Sequence, residues 1–427
     1  MTTDMRHVIL GNGPAGVIAA ELIRKHAPRD EIVLVGAEPG PPYSRMAIPY
    51  LLTGKIDEAG TWLRKDPEHF DRLGIRMKAG KARAVDAAAH TVSFEDGSAL
   101  GFDRLLVATG SVPIRPPIPG LDLPQVQPCW TLEDARKIMA LARPGARVVQ
   151  LGAGFIGCII MQALAERGTK LSVVEMGDRM VPRMMGPGAG GMIKRWVEKS
   201  GVAVHTSTRI ESIAPGKGGA VDVRLSSGET LQADLVISAA GVSPNVGFLK
   251  TSGVACQRGV LTDDRCQSTV PGIYAAGDCA EAFDHATGKP LVSATQPNAA
   301  DQAACAALNM VGREARLPAV TQINVLDTLG LVSSSFGRWE GVPGGDHVEV
   351  SDEAHFRYLS LQFDGDVLVG ANAVGYLEHA GILRGLVQGR VRLGAWKDVL
   401  RAEPMRLAEA YLGATQAQDG WTRRRVA

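Results

Sequence analysis

Short apolar runs that end in glycine-rich turns recur along this chain. The run Val8-Ile9-Leu10 meets a glycine-rich turn and then a helix-like stretch, Val17–Ile23, which is the order of a strand, a tight turn and a helix. Ile32–Val35 is predicted as the next strand. The same order returns at Val148–Leu151, with Lys170–Val174 as the following strand. The pattern therefore predicts an α/β fold with two Rossmann-like modules of the same construction.

The first turn carries the spacing Gly11-x-Gly13-x-x-Gly16. Gly11 makes the turn, Gly13 lets the backbone approach a pyrophosphate, and Gly16 lets helix and strand pack closely. The helix start leaves backbone N–H groups and the positive end of the helix dipole free for phosphate oxygens. Glu38, after the second strand, is expected to accept from ribose hydroxyls. Taken alone, the motif also fits an ordinary glycine-rich turn of an α/β domain.

The repeat decides between those two interpretations. Gly152, Gly154 and Gly157 stand in the same spacing after the second apolar run. The next strand ends in Glu175, at the usual distance along the chain from Gly152. The chain is therefore predicted to contain two dinucleotide-binding folds.

Turn signals and helix caps divide the rest of the chain. Asp96-Gly97 predicts a hairpin between Thr91–Phe94 and Leu105–Val107. The Pro-rich segment Val112–Leu123 predicts a linker. Further turns are predicted at Ser227-Gly228 and Asp364-Gly365, and further helices over 131–142, 297–310, 376–383 and 396–411. We predict a discontinuous first dinucleotide domain of residues 1–112 and 246–316, a second of residues 113–245, and a C-terminal α+β domain of residues 317–427.

Composition excludes several function classes. The chain has 46 Lys and Arg against 45 Asp and Glu, so its charge gives no reason to expect nucleic acid or an anionic membrane as a partner. No apolar run reaches the roughly 18–20 residues of a membrane span. The six cysteines form no Cys-x-x-Cys and no metal-like cluster, which favours free thiols, no metal site and a cytoplasmic location. Arg423-Arg424-Arg425 is interpreted as a solvated tail.

Together these motifs resemble the pyridine nucleotide–disulfide oxidoreductases, the flavoproteins with two dinucleotide domains. The two glycine motifs, Ala108-Thr109-Gly110 and the run Ile273–Asp278 carry the resemblance, which covers nearly the whole chain. It implies FAD in the first module and NAD(H) in the second. NADP(H) is disfavoured because Glu175 would repel a 2′-phosphate. A homodimer formed through the C-terminal interface domain is also implied.

The resemblance also assigns site residues, one by one. Those expected to hold FAD are Gly11, Gly13, Pro14, Ala15, Gly16, Glu38, Arg45, Ala108, Thr109, Gly110, Gly277, Asp278 and Pro297. Those expected to hold the nicotinamide cofactor are Gly152, Gly154, Phe155, Ile156, Gly157, Glu175 and Gly241. Asp278 is expected to bind the ribityl chain, and the helix near Pro297 to face the flavin pyrimidine with its positive end. No catalytic residue is assigned.

The chain departs from the family pattern at two places. Met46 stands where coenzyme A disulfide reductases and NADH oxidases carry a redox cysteine, and a thioether cannot perform thiol chemistry. The neighbouring Pro-Tyr-x-Arg element is similar to nitrite reductase flavin domains and to rubredoxin or ferredoxin reductases, which need no cysteine. Many members also pair a Glu after the second glycine motif with a Lys from the early loop. Here Gly157-Cys158-Ile159 lacks the Glu and Pro49-Tyr50 lacks the Lys.

We therefore expect an FAD-dependent NADH:acceptor oxidoreductase. Hydride would pass from NADH to the flavin, and electrons would continue to a small iron-containing redox protein or partner subunit without a cysteine relay. The alternative is a flavin- and nucleotide-binding subunit of a larger complex with little turnover of its own, which loss of the Lys–Glu pair would permit.

Overall fold

The computed structural model describes residues Asp4–Gln416, so the predicted tail at Arg423–Arg425 lies outside the described residues. The chain divides into two compact units. One comprises the chain up to Pro113 together with Val242–Val320, and the other comprises Ile114–Gly241 together with the chain from Thr321 onward. In the described part of the chain, every helix falls short of the length and apolarity needed to cross a bilayer.

Strands and helices alternate around each glycine turn, and runs of consecutive strands make up much of the rest of the described chain. The strands are β1 Arg6–Leu10, β2 Glu31–Gly36, β3 Ile75–Ala79, β4 Ala82–Asp86, β5 Thr91–Phe94, β6 Ala99–Gly101, β7 Arg104–Val107, β8 Ser111–Pro113, β9 Val126–Gln127, β10 Arg147–Leu151, β11 Lys170–Val174, β12 Ala203–His205, β13 Ile210–Pro215, β14 Val221–Leu225, β15 Thr230–Ala233, β16 Leu235–Ser238, β17 Val242–Pro244, β18 Val260–Leu261, β19 Ile273–Ala275, β20 Ala280–Asp284, β21 Lys289–Leu291, β22 Ile323–Thr328, β23 Leu331–Gly337, β24 Asp346–Asp352, β25 Arg357–Asp364 and β26 Val367–Val374. The α-helices are α1 Pro14–His26, α2 Ile48–Leu52, α3 Glu58–Thr61, α4 His69–Arg72, α5 Leu132–Leu141, α6 Phe155–Glu166, α7 Pro187–Lys199, α8 Gln296–Met310, α9 Ala380–Gln388, α10 Trp396–Ala402 and α11 Leu407–Thr415.

Each unit contains one parallel five-stranded sheet. The order in the first unit is β3-β2-β1-β7-β19, and the order in the second is β12-β11-β10-β16-β9. In both, the strand that precedes the glycine turn is central and the strand that leads to the acid lies beside it. Because parallel strands end at one edge of a sheet, each glycine turn and its acid meet at that edge. The predicted pair of Rossmann-like modules is confirmed.

Burial on both faces explains why the sheet strands are continuously apolar. In the first unit, one face of the sheet packs Ile9 and Leu34 against α1 and α8, and the other packs Val8 and Val33 toward Phe94 of the β4–β5–β6 meander. Strands covered on both faces show runs of aliphatic residues instead of alternation. The glycine turn is therefore anchored in a solid core on both sides.

The C-terminal segment forms an antiparallel sheet in the order β22-β23-β26-β25-β24, with α9, α10 and α11 packed on its apolar residues. The prediction of a single helix over Trp396–Tyr411 is wrong. It breaks into α10 and α11 around Pro404, which cannot donate the backbone hydrogen bond that a continuing helix needs.

One predicted hairpin is also wrong, because its second strand is not the one expected. The turn at Asp96-Gly97 joins β5 to the short β6, with Ser93 opposite Ala99, whereas Leu105–Val107 belongs to β7 and pairs with β1. A two-residue turn can only return the chain to the segment that follows it directly.

Candidate functional site

The first glycine turn is shaped so that only its middle glycine is open. A Cβ on Gly11 would lie 2.1 Å from the Ala108 carbonyl oxygen, and one on Gly16 would lie 1.8 Å from the Gly11 carbonyl oxygen. A Cβ on Gly13 would meet nothing within 4 Å. Gly13 is also the N-cap of α1, with no side-chain cap and with Pro14 in the first turn. The turn therefore leaves space and uncapped N–H groups where a pyrophosphate would bind.

Glu38 is held by two neighbours from the loop after β2. Its Oε1 accepts from Arg45 Nη2 at 2.6 Å and its Oε2 accepts from the Tyr43 hydroxyl at 2.6 Å. The carboxylate and Arg45 are each about one-third exposed. An ionised carboxylate has acceptor sites left after two such bonds, so Glu38 can also accept from a ribose hydroxyl. Arg45 and Glu38, predicted from different motifs, come together here.

Asp278 lies in the same unit, just after β19. Burial raises the pKa of its carboxyl group, while the Ser111 hydroxyl, donating to Oδ2 at 3.0 Å, and the charge of Arg45 act against that rise. Ser111 follows the predicted Ala108-Thr109-Gly110 element. That element extends β7 along the first turn, because Ala108 N–H donates to the Leu10 carbonyl oxygen at 2.8 Å. Thr109 Oγ1 donates to the Asn245 carbonyl oxygen at 2.7 Å.

Helix α8 brings a third element to this place. A Cβ on Gly277 would lie 3.5 Å from the Cβ of Ala15 and 3.6 Å from that of Ala299, so the first turn of α1, the Gly-Asp motif and the first turn of α8 meet. The N-cap Thr295 makes no side-chain cap and Pro297 lies in the first turn. The N-terminus of α8 is thus not capped by the Thr295 side chain, which suits a helix that faces a negatively charged ring.

Gln302 is a residue of this site that the sequence did not reveal. Its Oε1 accepts from Gly277 N–H at 2.7 Å, and its Nε2 is buried without a partner among the described residues. Gln302 is one of several polar residues in the small-residue stretch from Pro297 to Met310, so nothing in the sequence singled it out.

The second glycine turn has the same construction in the other unit. A Cβ on Gly152 would lie 2.5 Å from the Ala239 carbonyl oxygen, and one on Gly157 would lie 2.6 Å from the Gly152 carbonyl oxygen. Gly154 has nothing within 4 Å and is the uncapped N-cap of α6, whose first residues are Phe155 and Ile156. This turn therefore offers a second place for a dinucleotide pyrophosphate.

Glu175 follows β11 and turns back to the glycine turn. Its Oε2 accepts from Ala153 N–H and its Oε1 accepts from Gly177 N–H, both at 2.7 Å. Arg179, close enough in sequence to bind a 2′-phosphate, instead donates to Asp178 at 2.7 Å and to the Met185 carbonyl oxygen at 2.8 Å. Gly241, at φ +103°, follows β16, and the exposed Arg183 lies beside it.

Met46 lies on the 3₁₀ turn Arg45–Ala47 and is 53% exposed. The cysteines near the glycine motifs are buried instead. Burial raises the pKa of Cys158 to about 12, and burial also raises the pKa of Cys279. A buried thiol that stays protonated is a poor nucleophile, so both residues behave as packing groups.

The residues present fit the two cofactors. Each unit has an open middle glycine and an uncapped helix N-terminus, and in the second unit Glu175 is bonded to the turn. The first unit has Glu38 after β2, the buried Asp278, and Gln302, whose Nε2 has no partner among the described residues.

Comparison with known proteins identifies the family. Residues 5–304 match the family described as pyridine nucleotide-disulphide oxidoreductase. The chain belongs to this family. It is an NAD(P)H oxidoreductase that uses FAD and NAD(H).

Two relatives match almost end to end. The chain is 30% identical over 414 residues to the NADH-dependent phenylglyoxylate dehydrogenase subunit epsilon of Aromatoleum evansii, covering 96% of this chain and 98% of the relative. It is 31% identical over 410 residues to an NADH oxidase of Methanocaldococcus jannaschii, covering 87% and 88%. The fold matches that of the covalent putidaredoxin reductase–putidaredoxin complex with a TM-score of 0.89 and 23% identity, covering 98% of this chain and 100% of the matched chain.

Proposed function

We propose that this chain transfers electrons between NAD(H) and a partner redox protein or subunit through FAD, without a cysteine relay. The observation that carries the proposal is Met46 in the position of the family's redox cysteine, on an exposed turn that also contains Arg45. When bound, FAD accepts the hydride of NADH and releases electrons singly or in pairs. Since a thioether cannot become a thiolate, Met46 leaves no sulfur to carry those electrons further.

The chain's own residues bind and orient the cofactors in this proposal. The open space at Gly13 and the N-terminus of α1 take the FAD pyrophosphate, Glu38 takes a ribose, and Asp278 takes the ribityl chain. Gly154 and Glu175 take the pyrophosphate and a ribose of NADH. Orientation and electrostatic complementarity are what such a site contributes to hydride transfer.

A small iron-containing protein or subunit is the proposed electron acceptor. Iron centres in electron-transfer proteins exchange single electrons, which a flavin can supply. The relative from Aromatoleum evansii is itself named a subunit, which supports a partner within an assembly. Such partners bind weakly, through interfaces below about 1,200 Å².

Anaerobic titration of the FAD-loaded chain with NADH tests the proposal. Rapid bleaching of the flavin absorbance, followed by reoxidation with an added one-electron acceptor such as ferricyanide, is expected. The second candidate, a cofactor-holding subunit with little turnover, is supported by the missing Lys–Glu pair and by the same relative's name. A spectral shift on NADH binding without bleaching would favour that candidate. A colourless protein that cannot be reconstituted with FAD would contradict both.

We also propose that residues 1–112 and 246–316 form the FAD domain, residues 113–245 the NAD(H) domain, and residues 317–427 an interface domain that forms a homodimer. The matched parallel sheets and the separate antiparallel sheet with its own apolar core support this division. Light scattering coupled to gel filtration is expected to give twice the chain mass. A monomer mass would contradict the homodimer alone.

A further inference from the structure

The two glycine turns are alike in shape, but the second is held by hydrogen bonds that have no counterpart at the first among residues 4–416. The peptide between Gly152 and Ala153 is bonded at both ends. Gln150 Nε2 donates to the Gly152 carbonyl oxygen at 2.9 Å, and Ala153 N–H donates to Glu175 Oε2 at 2.7 Å. In the first module the residue in the place of Glu175 is Gly36, which has no side chain to accept from the turn. Glu38, two residues further on, is bonded to Tyr43 and Arg45 instead.

The next peptide of the second turn is also fixed. Val181 N–H donates to the Ala153 carbonyl oxygen at 2.9 Å. Because a trans peptide is planar, this bond also sets the direction of Gly154 N–H, which points the opposite way. Gly154 N–H belongs to the uncapped start of α6, where an incoming pyrophosphate would accept it.

Val181 makes this bond from a strained conformation. It is buried and β-branched, yet its φ is +50°, in the left-handed region that such residues rarely enter. Its own carbonyl oxygen accepts from Met184 and Met185 N–H, at 2.9 and 3.0 Å, which ties the strained residue into the loop before α7. Strained backbone of this kind is typical of sites where geometry matters for function.

Gln150 is an unusual residue for its position. It is the next-to-last residue of β10, is 0% exposed, and leaves its Oε1 buried without a partner among the described residues. The corresponding residue of β1, two before the first glycine, is Ile9. An aliphatic side chain therefore fits this place in the fold, and a buried amide with an unsatisfied oxygen costs stability. Stability alone does not explain the glutamine.

We infer that Gln150, Glu175 and Val181 form a brace that holds the second glycine turn in its pyrophosphate-binding shape before NADH arrives. Gln150 is then a positioning residue for NADH. This rests on the proposed placement of NADH at the turn. A turn that is already fixed loses less conformational entropy when NADH binds. Loss of the brace is therefore expected to raise the dissociation constant of NADH without slowing hydride transfer from bound NADH.

Replacing Gln150 by isoleucine, the residue at the corresponding position of the first module, tests this inference. In the FAD-loaded Gln150→Ile chain, the dissociation constant of ADP-ribose and the KM for NADH are expected to rise together by about threefold to tenfold, the effect of one lost hydrogen bond. The kcat at saturating NADH with ferricyanide and the FAD content are expected to stay unchanged. The melting temperature is expected not to fall, because the unsatisfied Oε1 is removed.

A matched control lies in the same sheet. Gln127 of β9 is also a buried glutamine, and its Nε2 donates to the Pro124 carbonyl oxygen at 2.7 Å, away from the glycine turn. Gln127→Ile is expected to leave the ADP-ribose dissociation constant unchanged. An equal rise in both variants would overturn the brace, as would a fall in kcat with an unchanged dissociation constant in Gln150→Ile. If Gln150→Ile does not fold, Gln150→Met carries the same expectations.

Gly154→Val separates this inference from the proposed placement of NADH. A side chain there would enter the space left for the pyrophosphate. If Gly154→Val leaves ADP-ribose binding intact, the placement itself is wrong. If Gly154→Val abolishes binding while Gln150→Ile and Gln150→Met leave it unchanged, only the brace is wrong.

Discussion

In the proposed FAD site, Asp278 serves the ligand at a cost to the stability of the fold. Burial raises the pKa of its carboxyl group, so ionised Asp278 is unfavourable in the protein without FAD, and the hydroxyl of Ser111 only partly offsets this. Because the folded-state pKa lies above the unfolded value, the folded chain binds more protons between the two values. The free energy of unfolding therefore decreases as the pH rises from the unfolded to the folded pKa of Asp278.

We expect opposite effects of Asp278 substitutions on stability and on FAD binding. Asp278→Asn should raise the melting temperature of the FAD-free chain at pH 7, and the gain should shrink as the pH falls toward the pKa of an ordinary aspartate. Asp278→Ala should weaken FAD binding at least tenfold, since a charge-assisted hydrogen bond contributes about 1.5–3 kcal/mol. Differential scanning fluorimetry and flavin fluorescence titration measure the two effects. An Asp278→Ala chain that binds FAD with wild-type affinity would show that the residue does not contact the cofactor.

Glu175 is expected to set the preference for NADH. Its carboxylate is fixed beside the glycine turn by Ala153 and Gly177, where it would repel a 2′-phosphate, and Arg179 is already bonded elsewhere. Glu175→Ala should lower kcat/KM for NADH about tenfold and narrow the ratio between NADH and NADPH, measured by steady-state kinetics with ferricyanide. Wild-type kinetics that are equal or better with NADPH would contradict this assignment.

Among the helices and strands, local sequence patterns correctly predicted features that depend only on residues close together in the chain. The capping box at Thr131 and Asp134 begins α5, and the run Lys170–Val174 is β11 with the predicted bounds. Contacts between distant segments were not visible in the sequence. Gln302 binds Gly277 and Val181 binds Ala153 only because the fold brings them together. The hairpin at Asp96-Gly97 was predicted with the wrong partner because the short β6, directly after the turn, was overlooked.

The first glycine turn offers a test, because Gly11 has no room for a side chain whereas Gly13 has open space around it. Gly11→Ala should prevent folding of the first module, since the added Cβ would overlap the Ala108 carbonyl. Gly13→Ala should leave the FAD-free melting temperature within about 1 °C, because its φ of −74° suits alanine and its surroundings are open. It should nevertheless weaken FAD binding by crowding the pyrophosphate. Circular dichroism and FAD titration check both; tight FAD binding by Gly13→Ala would remove Gly13 from the site.

Strand β1 carries a pH-sensitive residue. His7 is fully buried, with Nε2 2.8 Å from Asp30 Oδ2, and burial lowers its pKa below 6.5. The unfolded chain therefore binds more protons than the folded chain just below pH 6.5. The free energy of unfolding should fall as pH drops through that range.

Urea denaturation at pH 7.5 and 5.5 measures this effect. His7→Leu should shrink the difference between the two pH values, whereas substitution of the exposed His355 by Leu should leave it unchanged. An undiminished difference in His7→Leu would assign the pH sensitivity to another group.

The molecule contains two copies of one module, and each copy has a different set of proposed cofactor-binding residues. The first copy combines Glu38 with the buried Asp278, as a cofactor that stays bound would need. The second copy has Glu175 and the braced turn, which suits a cofactor that must bind and leave in each turnover. Electrons are thus expected to enter through the second module and to leave from the flavin held by the first.

The final prediction concerns that exit. With Met46 in place of the redox cysteine and with Cys158 and Cys279 buried, disulfides and peroxides are not expected to be physiological acceptors. Met46→Ala should therefore keep NADH-dependent ferricyanide reduction within about twofold of wild type, because the side chain is 53% exposed and carries no electrons in this proposal. The comparison requires equal FAD content, measured by absorbance. Rapid reduction of coenzyme A disulfide or peroxide by the wild-type chain would contradict the direct route from the flavin. One of the six cysteines would then have to reach the flavin during turnover, and substituting each by serine in turn would identify it.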